Sequence, residues 1–172
     1  VFNSEASGSE TDVRAGLDEV VAAAKGRVLV TTFASNAARL ATLGEVAKDT
    51  GRKLVVAGRS LDRITRVAKA AGYLKGFPET VDWDTAMRLP RNEVLIVATG
   101  GQGEPRAALS RVADGTHPIK LDAGDTVIFS SKQIPGNEVA IGAIMNQLAA
   151  RGVEMVTERQ AHVHVSGHPG RP

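Results

Sequence analysis

The 172-residue chain has no cysteine, which excludes disulfide bonds and thiolate metal ligands and favours an intracellular setting. Aromatic residues make up only 3% of the sequence, so a platform of several rings for stacking nucleic-acid bases is not expected. The formal net charge of +2 is too small to indicate a nucleic-acid partner by itself. Length and composition together indicate a single globular domain spanning residues 1–172.

Long apolar segments are also missing. No run approaches the roughly 18 apolar residues that span a bilayer, and the first ten residues lack the basic and apolar regions of a secretory signal. We therefore expect a cytoplasmic protein without a membrane partner. Because the chain starts at Val1 without a methionine and stops soon after a histidine-rich segment, we also expect it to be part of a longer protein.

What the sequence does contain is an alternation of short apolar, β-branched segments with amphipathic segments of helical spacing. This alternation is typical of a three-layer α/β/α fold with a mostly parallel, Rossmann-like sheet. The predicted strands are 28–33, 54–57, 94–98, 126–129, 153–156 and 162–165. The predicted helices cover 9–25, 36–50, 61–71, 105–112 and 139–150, with loops at 1–8, 75–91 and 114–124.

Five predicted loops follow the carboxyl ends of strands. In a parallel sheet these ends meet at one edge, where ligands bind. The loops are rich in small residues, hydroxyl groups and helix starts, which suit an anion. We therefore predict an anion site formed jointly by these loops, which are Phe33–Asn36, Gly58–Ser60, Thr99–Pro105, Ser130–Lys132 and Ser166–His168.

Each loop also has a purely structural interpretation. The 99–103 loop matches neither G-x-G-x-x-G nor the P-loop pattern, so a tight turn is the simpler explanation. The simplest role of Ser35 or Asn36 is to cap the helix that follows, and the simplest role of Ser60 is to cap the next one. The 130–132 segment is most simply a strand end followed by a solvated lysine. A basic series on the next helix is most simply its solvated face, with members Arg59, Arg63, Arg66 and Lys69.

Three of the four histidines lie in the segment AHVHVSGH, residues 161–168. On a strand, His162 and His164 share a face and have a metal-ligand spacing, but without a nearby carboxylate a structural role is the more usual one. The fourth, His117, precedes Pro118 in a polar loop and is expected to be solvated. The single tryptophan, Trp83, is expected to cover the edge of the core.

Five stretches of the chain resemble the β-CASP domain of ribonuclease J, in the family's order. The resemblance implies the RNA-binding wall of a zinc-dependent 5′–3′ exo- and endoribonuclease. It also implies that the domain is inserted in a metallo-β-lactamase-like domain, which carries two zinc ions on a His-x-His-x-Asp-His motif. That motif is absent here, so no zinc is expected in this chain. The stretches are TTFASN (31–36), AGRSL (57–61), TGGQGEPRAALSRVADG (99–115), IFSSKQIPGNE (128–138) and HVHVSGH (162–168).

The same resemblance assigns roles to individual residues. His168 corresponds to the family's second β-CASP motif and is implied to help protonate the leaving 3′-oxygen. The pocket for the RNA 5′-monophosphate is implied to consist of His164, Ser166, Gly167, Ser130 and Ser131. A strand-end histidine bonded to the backbone is the structural alternative for His168.

The implied partners are single-stranded RNA, the metallo-β-lactamase-like domain of the same chain and, in the full-length enzyme, a second copy. The isolated chain is expected to be inactive. Two other classes stay open, namely a free-standing Rossmann-like nucleotide-binding module without hydrolytic activity and an interaction scaffold.

Overall fold

The computed structural model describes residues 2–33, 35–74, 76–130 and 134–157, with the backbone alone for residues 2–10. Within these residues five strands form one sheet in the order β2-β3-β1-β4-β5, and every pairing is parallel. This confirms the predicted parallel sheet, while the predicted strand at 162–165 lies outside the described residues. The strands are β1 Val28–Thr31, β2 Lys53–Ala57, β3 Val94–Ala98, β4 Thr126–Phe129 and β5 Glu154–Val156.

Helices cover both faces of the sheet and produce the predicted three layers. Successive strand residues face opposite sides, so Val28 and Val30 pack with α1, α2 and α3, whereas Leu29 packs with α4, α5 and α6. Because both faces are covered, β3 is buried at all five positions, which explains its continuous apolar sequence. The helices are α1 Phe2–Ala23, α2 Ala37–Thr50, α3 Arg59–Ala70, α4 Trp83–Arg88, α5 Ala108–Asp114 and α6 Glu138–Ala150, and a 3₁₀ turn spans Arg91–Glu93.

The starts of α1 and α5 differ from the sequence prediction, and α4 was not predicted. Helix α1 begins at Phe2, not near Ser9, because a capping signature is only a local preference and the preceding residues include good helix formers. Helix α5 begins at Ala108, because hydrogen-bonded turns place Pro105 before the helix. Helix α4 lies in the segment predicted to be irregular, and the side chain of Asp82 caps it by accepting from the Thr85 N–H.

Buried charged groups close the amino-terminal edge of the sheet. The carboxylate of Asp125 is 0% exposed and accepts from the backbone N–H groups of Arg27 and Asp122, both at 2.8 Å, and from the Arg91 guanidinium. The buried guanidinium of Arg52 donates to the backbone carbonyls of Gly26, Val94 and Ala24. Asp125 and Arg52 thus find their hydrogen-bond partners within the fold, which gives this edge a structural role.

Candidate functional site at the carboxyl edge of the sheet

The loops after β1, β2 and β3 enclose a cleft of about 660 Å³. Strands β1 and β3 are neighbours, but α2 and α5, which follow them, lie on opposite faces of the sheet. Such a reversal opens a crevice at the carboxyl ends of the strands, and this is where open α/β sheets bind ligands. Three of the five predicted loops therefore meet at one site. Its lining includes Phe33, Arg59, Thr99, Gly101, Arg106 and Arg111.

The floor of the cleft is the glycine turn after β3. A Cβ atom at Gly100, whose φ is +117°, would lie 2.9 Å from the Leu109 Cβ, and one at Gly101 would lie 2.9 Å from the Thr31 Oγ1. Both positions therefore require glycine. The Thr99 carbonyl accepts from the Leu109 N–H at 3.0 Å, which ties the turn to α5. The tight-turn interpretation is confirmed, and residues of the same turn line the cleft.

Gln102 connects this turn to the loop before α6. Its buried side-chain Oε1 accepts from the Ile134 N–H at 2.8 Å and from the Asn137 Nδ2 at 3.3 Å. Its own N–H donates to the Glu104 carboxylate at 3.1 Å. No role was predicted for Gln102 from the sequence, although it is flanked by glycines in one of the family-like stretches, which was an available signal.

The start of α3 forms one wall of the cleft. Gly58, with a φ of +119°, is the N-cap, and no side chain caps the helix. The predicted N-cap role of Ser60 is therefore wrong, since the turn at Gly58 starts the helix earlier and leaves Ser60 in the first turn, lining the cleft. Asn36 does cap α2 as predicted, accepting from the Arg39 N–H at 2.9 Å.

The cleft carries an excess of positive charge, with three arginines against the single carboxylate of Glu104. All three arginines are exposed, and none of them pairs with a carboxylate in the part of the chain that the structure describes. Arg63 is exposed on the same helix as Arg59, as predicted for a solvated face, but it does not line the cleft. The difference between these two residues was not predicted from the sequence, and neither was a role for Arg106 or Arg111.

Ser130 lies at the carboxyl end of β4, as the sequence predicted. It is 0% exposed, and its carbonyl and Oγ both accept from the buried guanidinium of Arg39, at 3.0 and 2.8 Å. Its N–H donates to the Thr31 Oγ1 at 3.3 Å. The contact of Arg39 with Ser130 was not predicted from the sequence. The role of Ser130 in phosphate binding stays a prediction.

The other predicted site residues, Ser131, His164, Ser166, Gly167 and His168, lie outside the described residues, as does His162. Their roles therefore stay predictions.

The expectation for His117 is wrong, because this residue is only 3% exposed. Its Nδ1 accepts from the Ile119 N–H at 3.0 Å, and the Trp83 ring packs edge-on at a centroid distance of 5.0 Å. Burial lowers the pKa of the imidazole, so His117 is neutral at pH 7. The polar loop folds inwards because its apolar residues Ile119 and Leu121 are fully buried.

Across the described ranges, no group of three or more histidine, aspartate or glutamate side chains is arranged to hold a metal ion. The described side chains therefore do not fit a zinc centre. No described helix combines the length and apolar character needed to cross a membrane.

Comparison with known proteins identifies the family. A family profile described as Ribonuclease J, beta-CASP domain, matches residues 25–148. The chain belongs to this family. The β-CASP chain is 43% identical over 166 residues to ribonuclease J of Sinorhizobium meliloti, covering 96% of its own length and 29% of that protein. It is 43% identical to ribonuclease J of Corynebacterium glutamicum, and the match covers 94% of the chain and 23% of that protein. It is 41% identical to ribonuclease J of Thermus thermophilus, and this match covers 93% of the chain and 28% of that protein.

The resemblance drawn from the five stretches is thus confirmed. The match to the family profile contains every described residue that lines the cleft, whereas residues 166–168 lie beyond it. The β-CASP chain spans less than a third of the length of the relatives it matches.

Proposed function

We propose that the β-CASP chain is the RNA-binding portion of a zinc-dependent, ribonuclease J-like 5′–3′ exo- and endoribonuclease, and that its carboxyl edge forms a wall of the RNA channel. The observation that carries this proposal is the excess of arginines, none paired with a carboxylate among the described residues, in the cleft of a domain that belongs to the ribonuclease J family. One guanidinium group can donate two parallel hydrogen bonds to the oxygens of a phosphate, so arginines suit an RNA backbone.

In this proposal the catalytic metals are bound outside the 172 residues. The relatives are three to four times as long as the matched region, which leaves room for a metallo-β-lactamase-like domain. Since the described side chains do not fit a zinc centre, we assign the two zinc ions to that domain. A second copy of the full-length protein is a further proposed partner.

The 5′-monophosphate pocket is proposed to consist of His164, Ser166, Gly167, Ser130 and Ser131. The contact between Arg39 and Ser130 supports the role of Ser130. The Ser130 Oγ accepts from the Arg39 guanidinium and so keeps its own proton for a phosphate oxygen, which must reach a side chain that is 0% exposed. Such hydrogen bonds to an ionised acceptor are about twice as strong as neutral ones.

His168 is proposed to donate the proton that the leaving 3′-oxygen needs when the phosphodiester is cleaved. An imidazole can hold and release that proton near neutral pH, and general acid catalysis typically contributes about 10²–10⁴-fold to the rate.

The test is His168→Ala in the full-length protein, with ordinary RNA compared with RNA that has sulfur at the bridging 3′ position. A thiolate leaves without protonation, so the variant should lose about 10²–10⁴-fold in kcat on ordinary RNA and far less on the sulfur substrate. His162→Ala changes a histidine of the same segment to which the proposal gives no role, and it serves as the control. Equal losses on the two substrates would contradict the proposed acid role of His168.

One observation favours the second function, a nucleotide-binding module without hydrolysis. The cleft lies at the reversal point of the sheet and has a glycine turn as its floor, as in dinucleotide-binding folds. Tight binding of free mononucleotides without any preference for RNA would support this alternative.

A further inference from the structure

We propose that the cleft formed by the loops after β1, β2 and β3 is a nucleotide subsite of the RNA wall. The base of one single-stranded nucleotide would pack on the Phe33 ring, and the adjoining phosphates would lie among Arg59, Arg106 and Arg111. Ser130, the one described residue of the proposed 5′-phosphate pocket, does not line this cleft. RNA as the ligand rests on the proposed function, whereas the location of the subsite rests on the cleft itself.

The dimensions of the cleft suit a nucleotide. Its volume of about 660 Å³ falls in the range of small-ligand sites, about 300–1,000 Å³. Its floor is backbone, because glycine is required at Gly100 and Gly101. A flat ligand can therefore approach the ends of β1 and β3 closely.

Phe33 offers an apolar ring where the surrounding strand end is buried. Its exposed fraction is 38%, whereas Thr31 and Thr32, just before it, are 0% and 4% exposed. The aromatic residue at the end of the neighbouring β4, Phe129, is 2% exposed and belongs to the core. An exposed ring inside a cleft has a face available for stacking, and any of the four bases can stack on it.

The charged groups of the cleft suit phosphates on a strand. Arg59 is the first residue of α3, Arg106 precedes α5 and Arg111 lies within α5. Three cations from two separate parts of the chain therefore line one cleft. None of them pairs with a carboxylate among the described residues, which leaves their donors available.

A compact nucleoside triphosphate fits this arrangement less well. The glycine turn lacks the lysine and hydroxyl pair of a P-loop, and the exposed carboxylate of Glu104 also lines the cleft. Three cations and one carboxylate in the same lining match the single charges of successive phosphodiesters better than the dense charge of a triphosphate.

The test measures binding to the full-length protein of a short, unstructured, 5′-monophosphorylated oligoribonucleotide with a 3′ fluorophore. Anisotropy is recorded over a series of salt concentrations, with a chelator present to prevent cleavage. Phe33→Ala should weaken binding roughly 5- to 150-fold, the range for loss of one stacked base. Arg59→Ala and Arg106→Ala should each lower the slope of log affinity against log salt by about 0.7, the value for one phosphate contact on a single strand.

Two exposed residues of the same domain provide matched controls. Arg63→Ala removes the same charge from α3 outside the cleft, and Tyr73→Ala removes an aromatic ring that is 78% exposed. Both should leave affinity and salt slope unchanged. Phe33→Leu keeps the apolar bulk without the ring and should also weaken binding, which excludes simple loss of packing.

The possible results separate the two proposals. If the wild-type protein binds RNA but the cleft variants behave like their controls, the subsite is wrong and the proposed function stands. If wild-type protein shows no affinity for RNA, the proposed function fails, and the subsite fails with it as an RNA site. If calorimetry shows that UMP or AMP binds as tightly as the oligonucleotide, the cleft takes free nucleotides and its assignment to an RNA strand is overturned.

Discussion

Replacing Asp125 by asparagine should destabilise the β-CASP chain without altering the cleft, because Asp125 lies at the opposite edge of the sheet. Its Oδ1 accepts from the Arg27 N–H and the Arg91 Nε, and its Oδ2 accepts from the Asp122 N–H and the Arg91 Nη2. An asparagine oxygen can keep one pair of these bonds. The amide NH₂ would then face two donors with no acceptor between them.

The size of the effect follows from the bonds that are lost. Hydrogen bonds to charged groups contribute about 1.5–3 kcal/mol each, and breaking a buried ion pair costs about 3–5 kcal/mol. The Arg91 side chain is 40% exposed, which lets water compensate part of the loss. We therefore expect the free energy of unfolding to fall by about 3–4 kcal/mol, a large share of the roughly 5–15 kcal/mol that stabilises a domain.

Urea denaturation followed by circular dichroism measures this difference, with Asp122→Asn as the control. The Asp122 side chain is 69% exposed and lies 3.9 Å from Arg91, so its loss should cost less than about 0.5 kcal/mol. If Asp125→Asn were no more destabilising than Asp122→Asn, the buried network would not stabilise this edge as described.

Two further predictions concern other polar contacts of the fold. Burial, together with a hydrogen bond to Asp49, raises the pKa of Asp18 from 3.8 to about 6. The unfolded chain therefore releases this proton first, and stability should fall as the pH rises between those two values. Asp18→Asn should remove that part of the pH dependence in urea titrations, and an unchanged profile would refute the assignment. Gln102→Leu should cost about 1–3 kcal/mol, because the Ile134 N–H and the Asn137 amide lose their acceptor. It should also speed hydrogen exchange at the Ile134 amide, and unaltered exchange there would argue against the connection.

Most of the fold follows from local pattern. The strand VLIVA at 94–98 is apolar at every position, which indicates a strand covered on both faces, and it lies between β1 and β2 in the sheet. The N-cap at Asn36 was likewise readable, since a short polar side chain before a helical series is a local signal.

The features that were not predicted depend on contacts between distant segments. The buried His117 packs against Trp83, which lies 34 positions earlier in the chain. Arg39 reaches Ser130 across 91 positions, and Gln102 reaches Ile134 across 32. No spacing rule reveals such contacts. Arg59 and Arg63 are equivalent in sequence pattern, and only the arrangement of the loops places one in the cleft and the other outside it.

We propose that RNA contacts the carboxyl edge of this sheet and not the amino edge. Hydrogen–deuterium exchange of the full-length protein, with and without a 5′-monophosphorylated oligoribonucleotide and in the presence of a chelator, tests it most directly. We predict slower exchange in peptides that contain residues 58–61 and 99–103, with no change in those that contain residues 24–27 and 122–125. Protection confined to the amino-edge peptides, or no protection at the cleft under saturating RNA, would contradict the claim.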